Sequence, residues 1–183
     1  MTVQNTHSKQ YCALLRGVNV KGTNMKMADV CGLFTTAGMQ QVSSVLASGN
    51  IIFNSDSDPE ALKPLLEKQL SETYQYEAHL FIVDKEALLH MRSLVPFEED
   101  KSWHIYCFIG LKNIGTQLNV LFKASKKASE EQGSLVDEHF FWRIPKGKTL
   151  DSDFGKVLGR KVLKDQFTSR NLNTIDRIIK KMA

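Results

Sequence analysis

"VSSVLASGNIIFN", Val42 to Asn54, reads as two short apolar strands, Val42 to Ala47 and Ile51 to Asn54, joined at Ser48-Gly49-Asn50. Gly and Asn between two β-branched runs is the composition of a hairpin turn. What flanks the hairpin decides the fold. Before it, Met27, Val30, Phe34 and Ala37 recur at helical spacing, and Gly38 stands where a C-terminal cap belongs. After it, Asp58, Pro59 and Glu60 open a second helix carrying Leu62, Leu65, Leu66 and Leu70 on one stripe. Further strands read at Tyr11 to Arg16, before the first helix, and Ala78 to Val83, after the second. The order βαββαβ is the split βαβ, or ferredoxin-like, unit.

Asp84 can cap a further helix with Ala87, Leu88 and Met91, which must end before Val95-Pro96. "PFEEDKS" then reads as a linker. A second pass of the pattern follows it: strand His104 to Ile109, a helix with Leu118, Leu121, Phe122 and Ser125, strand-like "SLVDE" and "HFFWRIP", a weak helix Asp153 to Leu163, extended "QFTSR", and a closing helix with Ile175, Ile178, Ile179 and Met182. The expectation is an α+β protein of two ferredoxin-like lobes with antiparallel sheets, related by internal duplication, dividing at residues 1–95 and 96–183.

Composition limits the function classes. With 42% hydrophobic and 24% charged residues, the 183-residue chain has the balance of a soluble globular protein. No apolar run approaches a membrane span, and MTVQNTHSKQ lacks the apolar centre of a signal peptide, so a cytoplasmic location is expected. Cys12, Cys31 and Cys107 are too dispersed for a disulfide framework or a CxxC motif, and read as buried thiols. The five histidines show no HxxxH or HExxH spacing, so no metal site and no cofactor are implied. GxSxG, GxGxxG and GxxxxGK[ST] are all missing.

Three segments could bind a ligand. "LLRGVNVKGTN", Leu14 to Asn24, follows a strand with Gly17, Asn19, Lys21, Gly22 and Asn24 and leads to a helix start, where unpaired N–H groups favour anions. "FTSRNLNTID", Phe167 to Asp176, offers Arg170 as a planar donor fork; Asn171 or Asn173 can cap the last helix, with Asp176 as a capping-box partner to Asn173. "RIPKGKTLDSD", Arg143 to Asp153, places Lys146 and Lys148 about a turn. Charge is uneven as well: from Arg143 onward there are 11 Lys and Arg against 4 Asp, a net of +7. Lys156, Arg160 and Lys164, four apart, would share a helix face. Phe140, Phe141 and Trp142 read as sheet core.

"YCALLRGVNVKGTNMKM", "VLASGNIIF", "PFEEDK", "IPKGK" and "FTSRNLNTI", taken in order, resemble the signature stretches of a bacterial family, domain of unknown function 1697, over residues 11 to 179. The family pattern has glycine where Lys21 stands, Thr or Ala at Ser169, and Trp at Leu172. The resemblance implies two ferredoxin-like lobes and no established activity. It also groups Arg16, Asn19, Ser48, Gly49, Asn50, Arg170, Asn171, Asn173 and Thr174 on motif positions. With Lys21, these make the expected binding set for a phosphate- or carboxylate-bearing ligand in a cleft between the lobes. The alternative is association with nucleic acid through Lys146, Lys148, Lys156, Arg160 and Lys164. An enzyme ranks third, because no acid, base or nucleophile stands out.

Overall fold

The computed structural model describes residues 8–18, 25–126 and 130–182. It forms two compact units, one running to Leu88 and including the residues from Arg177, the other spanning Leu89–Asp176; they are called lobe 1 and lobe 2. Lobe 1 contains β1 (Lys9–Arg16), α1 (Met27–Thr36), β2 (Gln40–Ser44), β3 (Asn50–Ser55), α2 (Pro59–Tyr74) and β4 (His79–Asp84), followed by α3 (Lys85–Ser93). Lobe 2 repeats the order with β5 (Trp103–Gly110), α4 (Ile114–Ala124), β6 (Gln132–Val136), β7 (His139–Pro145), α5 (Asp153–Leu158), a 3₁₀ turn at Lys161–Leu163 and β8 (Phe167–Asn171), followed by α6 (Leu172–Lys181). The sheets are antiparallel, in the orders β2-β3-β1-β4 and β6-β7-β5-β8, the same topology twice.

The strands form because their side chains have somewhere to go on both faces. Tyr11, Ala13 and Leu15 join Phe34, Leu62, Leu66 and Leu70 of α1 and α2 in one core, while the alternate residues Cys12 and Leu14 are also fully buried. That explains why β1 reads as an unbroken apolar run rather than an alternating one. Lobe 2 uses rings for the same purpose. Phe154 of α5 meets Phe108, Phe122, Phe140 and Trp142 at centroid distances of 5.1 to 6.5 Å, close to edge-on.

Several expectations shift in detail. β2 ends at Ser44, because Leu46 takes a left-handed φ of 59° and Val45 N–H donates to Asn50 O at 2.8 Å, so the hairpin connection is longer than Ser48 to Asn50. The weak helix over Asp153 to Leu163 breaks at Gly159, and Arg160 is extended. Lys156, Arg160 and Lys164 therefore do not share a helix face. Asp58 makes no side-chain cap; Pro59 opens α2 instead. Cys12 and Cys107 are buried free thiols as expected, and Cys31 is half-buried. Among the described residues no helix is long and apolar enough to cross a membrane.

Candidate anion-binding site

In lobe 1 the first two motif segments pack together. Gly49 O accepts from Leu15 N–H at 2.8 Å, and Gly49 sits at φ 74° with a position for Cβ only 2.4 Å from Val18 Cγ2. Any side chain there would push the loop off β1. Asn50 is fully buried, and its amide donates to Val45 O at 2.9 Å and Ser48 Oγ at 3.0 Å. Its donor thus closes the hairpin connection. Arg16, at the end of β1, lies opposite His79. Asn19, Lys21, Gly22 and Asn24 lie outside the described residues.

In lobe 2 the third segment turns directly from β8 into α6. Buried Arg170 donates from Nη1 to Thr168 Oγ1 and Ser169 O, both at 2.8 Å. Asn171 Oδ1 accepts from Thr174 N–H and Thr174 Oγ1, both at 2.9 Å, so Asn171 is the cap of α6. The expected Asn173–Asp176 capping box does not form. With the cap at Asn171, Asp176 falls past the first turn and accepts from Arg92 Nε at 2.7 Å, while Arg92 Nη2 donates to Glu99 at 2.5 Å.

A cavity of about 180 Å³ opens at the start of α6, lined by Glu99, Asp100, Lys101, Trp103, His104, Ile105, Lys146, Asn171, Leu172 and Asn173. Its polar lining combines two carboxylates with several donors that face solvent. Lys101, Lys146 and Asn173 make no side-chain ion pair or hydrogen bond among the described residues, and neither do the ring nitrogens of Trp103 and His104. Both carboxylates are committed: Glu99 to Arg92, and Asp100 Oδ1 to Ser102 N–H at 2.7 Å. "PFEEDKS", expected as a linker, is thus an ordered turn that forms one wall. Burial, and then the charge of Lys146, lower the His104 pKa below the ordinary 6.5. Trp103 is held by the Arg143 guanidinium stacked 4.1 Å from its ring centroid.

Of the expected residues, Asn171, Asn173 and Lys146 meet here, whereas Lys148 lines a different cavity and Lys156 and Arg160 line a third with Lys126. Sequence reading missed Lys101, Trp103 and His104. The available signal was their position: each precedes or opens a strand whose far neighbour ends at a helix start.

The duplication supplies an internal control. Tyr11 lies opposite Asp84 on β4, and Tyr106 lies opposite Asn171 on β8, so Asp84 and Asn171 are equivalent. Asp84 caps α3 through Ala87 N–H at 2.8 Å and pairs with Lys9 at 2.7 Å. The Lys9 hydrogen bond, helped by that backbone N–H, lowers the Asp84 pKa. Glu86 adds a second carboxylate in the first turn of α3. At the corresponding places lobe 2 has His104, Asn171 and Asn173, with no acidic residue in the first turn of α6. The acidic residues at the start of α3 in lobe 1 are thus replaced by neutral amides at the start of α6 in lobe 2, where the carboxylates at the cavity, Glu99 and Asp100, come from the turn before β5.

A model of a family of proteins of unknown function, DUF1697, matches residues 8–141, which is β1 through the first residues of β7. The chain belongs to the DUF1697 family. Among solved structures, a conserved bacterial protein from Streptococcus pneumoniae resembles this DUF1697 chain with a TM-score of 0.76 at 21% identity, covering 96% of this chain and 98% of that one. At that identity the likeness establishes the shared fold. No curated protein matches the chain.

Proposed function

We infer that the protein binds a small phosphate- or carboxylate-bearing ligand in the lobe 2 cavity. The observation that supports the reading is the set of unengaged donors at the start of α6, Lys101, Lys146, His104, Trp103 and Asn173, where the equivalent end of lobe 1 holds a Lys9–Asp84 pair. An anion there gains the helix dipole, two ammonium groups and neutral N–H donors, while Glu99 and Asp100 are held by Arg92 and the Ser102 N–H. Phosphate titrated into the ¹⁵N-labelled protein should shift the Trp103 indole resonance saturably, chloride at equal ionic strength should not, and Lys146→Met should weaken binding about tenfold. An indole resonance that does not move with phosphate or acetate would refute the reading.

One observation favours a second reading, nucleic-acid association: Lys126, Lys156 and Arg160 line one groove of about 490 Å³ between α4 and α5. Such binding would weaken steeply with salt. Lys156 is partly offset by Asp153 at 3.7 Å, and Lys146 and Lys148 lie on other cavities, so the basic residues form no single stripe. Lack of retardation of RNA and DNA at low salt would end it.

A further inference from the structure

An antiparallel sheet leaves every second residue of its outer strands with an N–H and a C=O aimed away from the sheet, a template for another strand unless something covers it. Here the outer strands are β2, β4, β6 and β8, and side chains cover all of them but β6. On β4, Leu80 N–H donates to Glu67 Oε1 at 3.0 Å and Leu80 O accepts from Lys63 Nζ at 2.7 Å. On β8, Ser169 O accepts from Arg170 Nη1 at 2.8 Å. On β2 the pairing slips between Gln40 and Ser43, with Gln41 at a φ of 50°, and Ser44 O accepts from Lys181 Nζ at 2.8 Å. β6 takes the place of β2 in lobe 2 and has neither device. Its residues, Gln132–Val136, pair with β7 in unbroken register and carry no charge. The two-residue connection Asp137-Glu138 makes Val136 and His139 a hydrogen-bonded pair, so by alternation Gly133 and Leu135 aim their N–H and C=O outward. Both residues are half-buried, and among the described residues no side chain bonds to the backbone of either.

We propose that the β6 edge is a docking site for an extended segment of another protein, a short run of small or apolar residues with Lys or Arg at each end, which adds to the lobe 2 sheet as a further strand. Charge selects that partner. Glu130 stands before β6, and Asp137 and Glu138 after it, all exposed and without an ion pair among the described residues. Glu131 is buried and accepts from Trp142 Nε1 at 3.2 Å. Basic residues at the two ends of an incoming strand would meet the exposed carboxylates. The same groups disfavour a second copy of this chain: antiparallel pairing of β6 with itself, Gly133 opposite Leu135, sets Glu130 against Glu138 and Glu131 against Asp137. Gly133 lies against the Phe122 ring of α4 and Leu135 shares that face of the strand, so apolar residues of the incoming segment would extend the buried side of the sheet.

In the ¹⁵N-labelled full chain, the peptide acetyl-Lys-Val-Thr-Val-Thr-Val-Lys-amide should shift the Gly133 and Leu135 backbone amide resonances saturably and slow their hydrogen exchange, with the Trp103 indole unmoved. The same peptide with Glu at both ends, or with Pro for its central Val, should do neither. Leu135→Pro removes one outward N–H without taking a bond from the β7 ladder, and should abolish the shift at Gly133. Asp137→Asn combined with Glu138→Gln, in the exposed turn, keeps the test open if Leu135→Pro fails to fold; it should raise the peptide Kd about fivefold and flatten its salt dependence. The proposal is overturned by amides that stay still, that respond equally to the acidic-ended or Pro-interrupted peptide, or that keep the parent affinity in the Asp137→Asn, Glu138→Gln protein. Broadening of the same resonances with protein concentration alone, the sign of pairing between copies, would overturn it too. Because the peptide is read at the β6 amides and phosphate at the Trp103 indole, either site can fail without the other.

Discussion

Lobe 1 and lobe 2 have the same strand order, and the β1–β4 and β5–β8 pairings correspond, so differences along those strands can be read residue against residue. Where β1 has Leu15 opposite Leu80, β5 has Gly110 opposite Phe167. The lobe 2 pair is the smaller of the two, and a Cβ on Gly110 would lie 2.2 Å from Gln166 O. Where lobe 1 ends its central strand pair in a Lys9–Asp84 ion pair, lobe 2 places His104 and Asn171 and opens a cavity. The first change goes with the close approach of Gln166 O to β5. The second replaces an ion pair by an imidazole and an amide beside a cavity.

Several substitutions would break or sharpen that comparison. Phe154→Ala should cost about 3–5 kcal/mol, because Phe154 is fully buried among four rings, where the lobe 1 cluster described has only Tyr11, Phe34 and Phe53. Urea unfolding followed by separate lobe 1 and lobe 2 resonances should show the loss chiefly in lobe 2. Gly110→Ala should cost about 1–3 kcal/mol through the clash with Gln166 O, although the equivalent position in lobe 1 carries leucine. A variant as stable as the parent would contradict the close approach of Gln166 O at that position.

Acid should affect the two ends in different pH windows. Asp84 has a lowered folded pKa, so its contribution is present above the ordinary 3.8 and is lost as pH falls below it; Lys9→Met should raise its titration midpoint. His104 also has a lowered folded pKa, so its contribution is present above 6.5 and is lost as pH falls through the folded value. Proton NMR titration should place the His104 midpoint below 6.5, with Lys146→Met raising it slightly, since burial is the larger cause. Bound phosphate should raise it further by stabilising the imidazolium.

Most of the fold was legible because it rests on local rules. The apolar run at β1, the Asp58-Pro59 helix start and the Asp84 cap position each mark an element boundary within a residue or two. The break at Gly159 was not, because the stretch to Leu163 keeps an apolar pattern and only backbone hydrogen bonds separate α5 from the 3₁₀ turn. The site was half legible. Asn171 and Asn173 announced a helix start, but a capping amide looks the same whether or not a ligand sits above it. Lys101 comes from the turn before β5 and Trp103 and His104 from its start, about 70 residues away in sequence, and the antiparallel pairing of β5 with β8 brings them to α6.

The central claim is that lobe 2 binds an anion where lobe 1 has closed the same place with its own charges. The most direct test installs lobe 1's chemistry in lobe 2. In the His104→Lys, Asn171→Asp double variant the new pair should cap α6 and occupy the cavity. Phosphate titration followed at the Trp103 indole should then lose its saturable shift, with the fold and the Trp142 resonance unchanged. A double variant that binds phosphate as tightly as the parent would contradict the account.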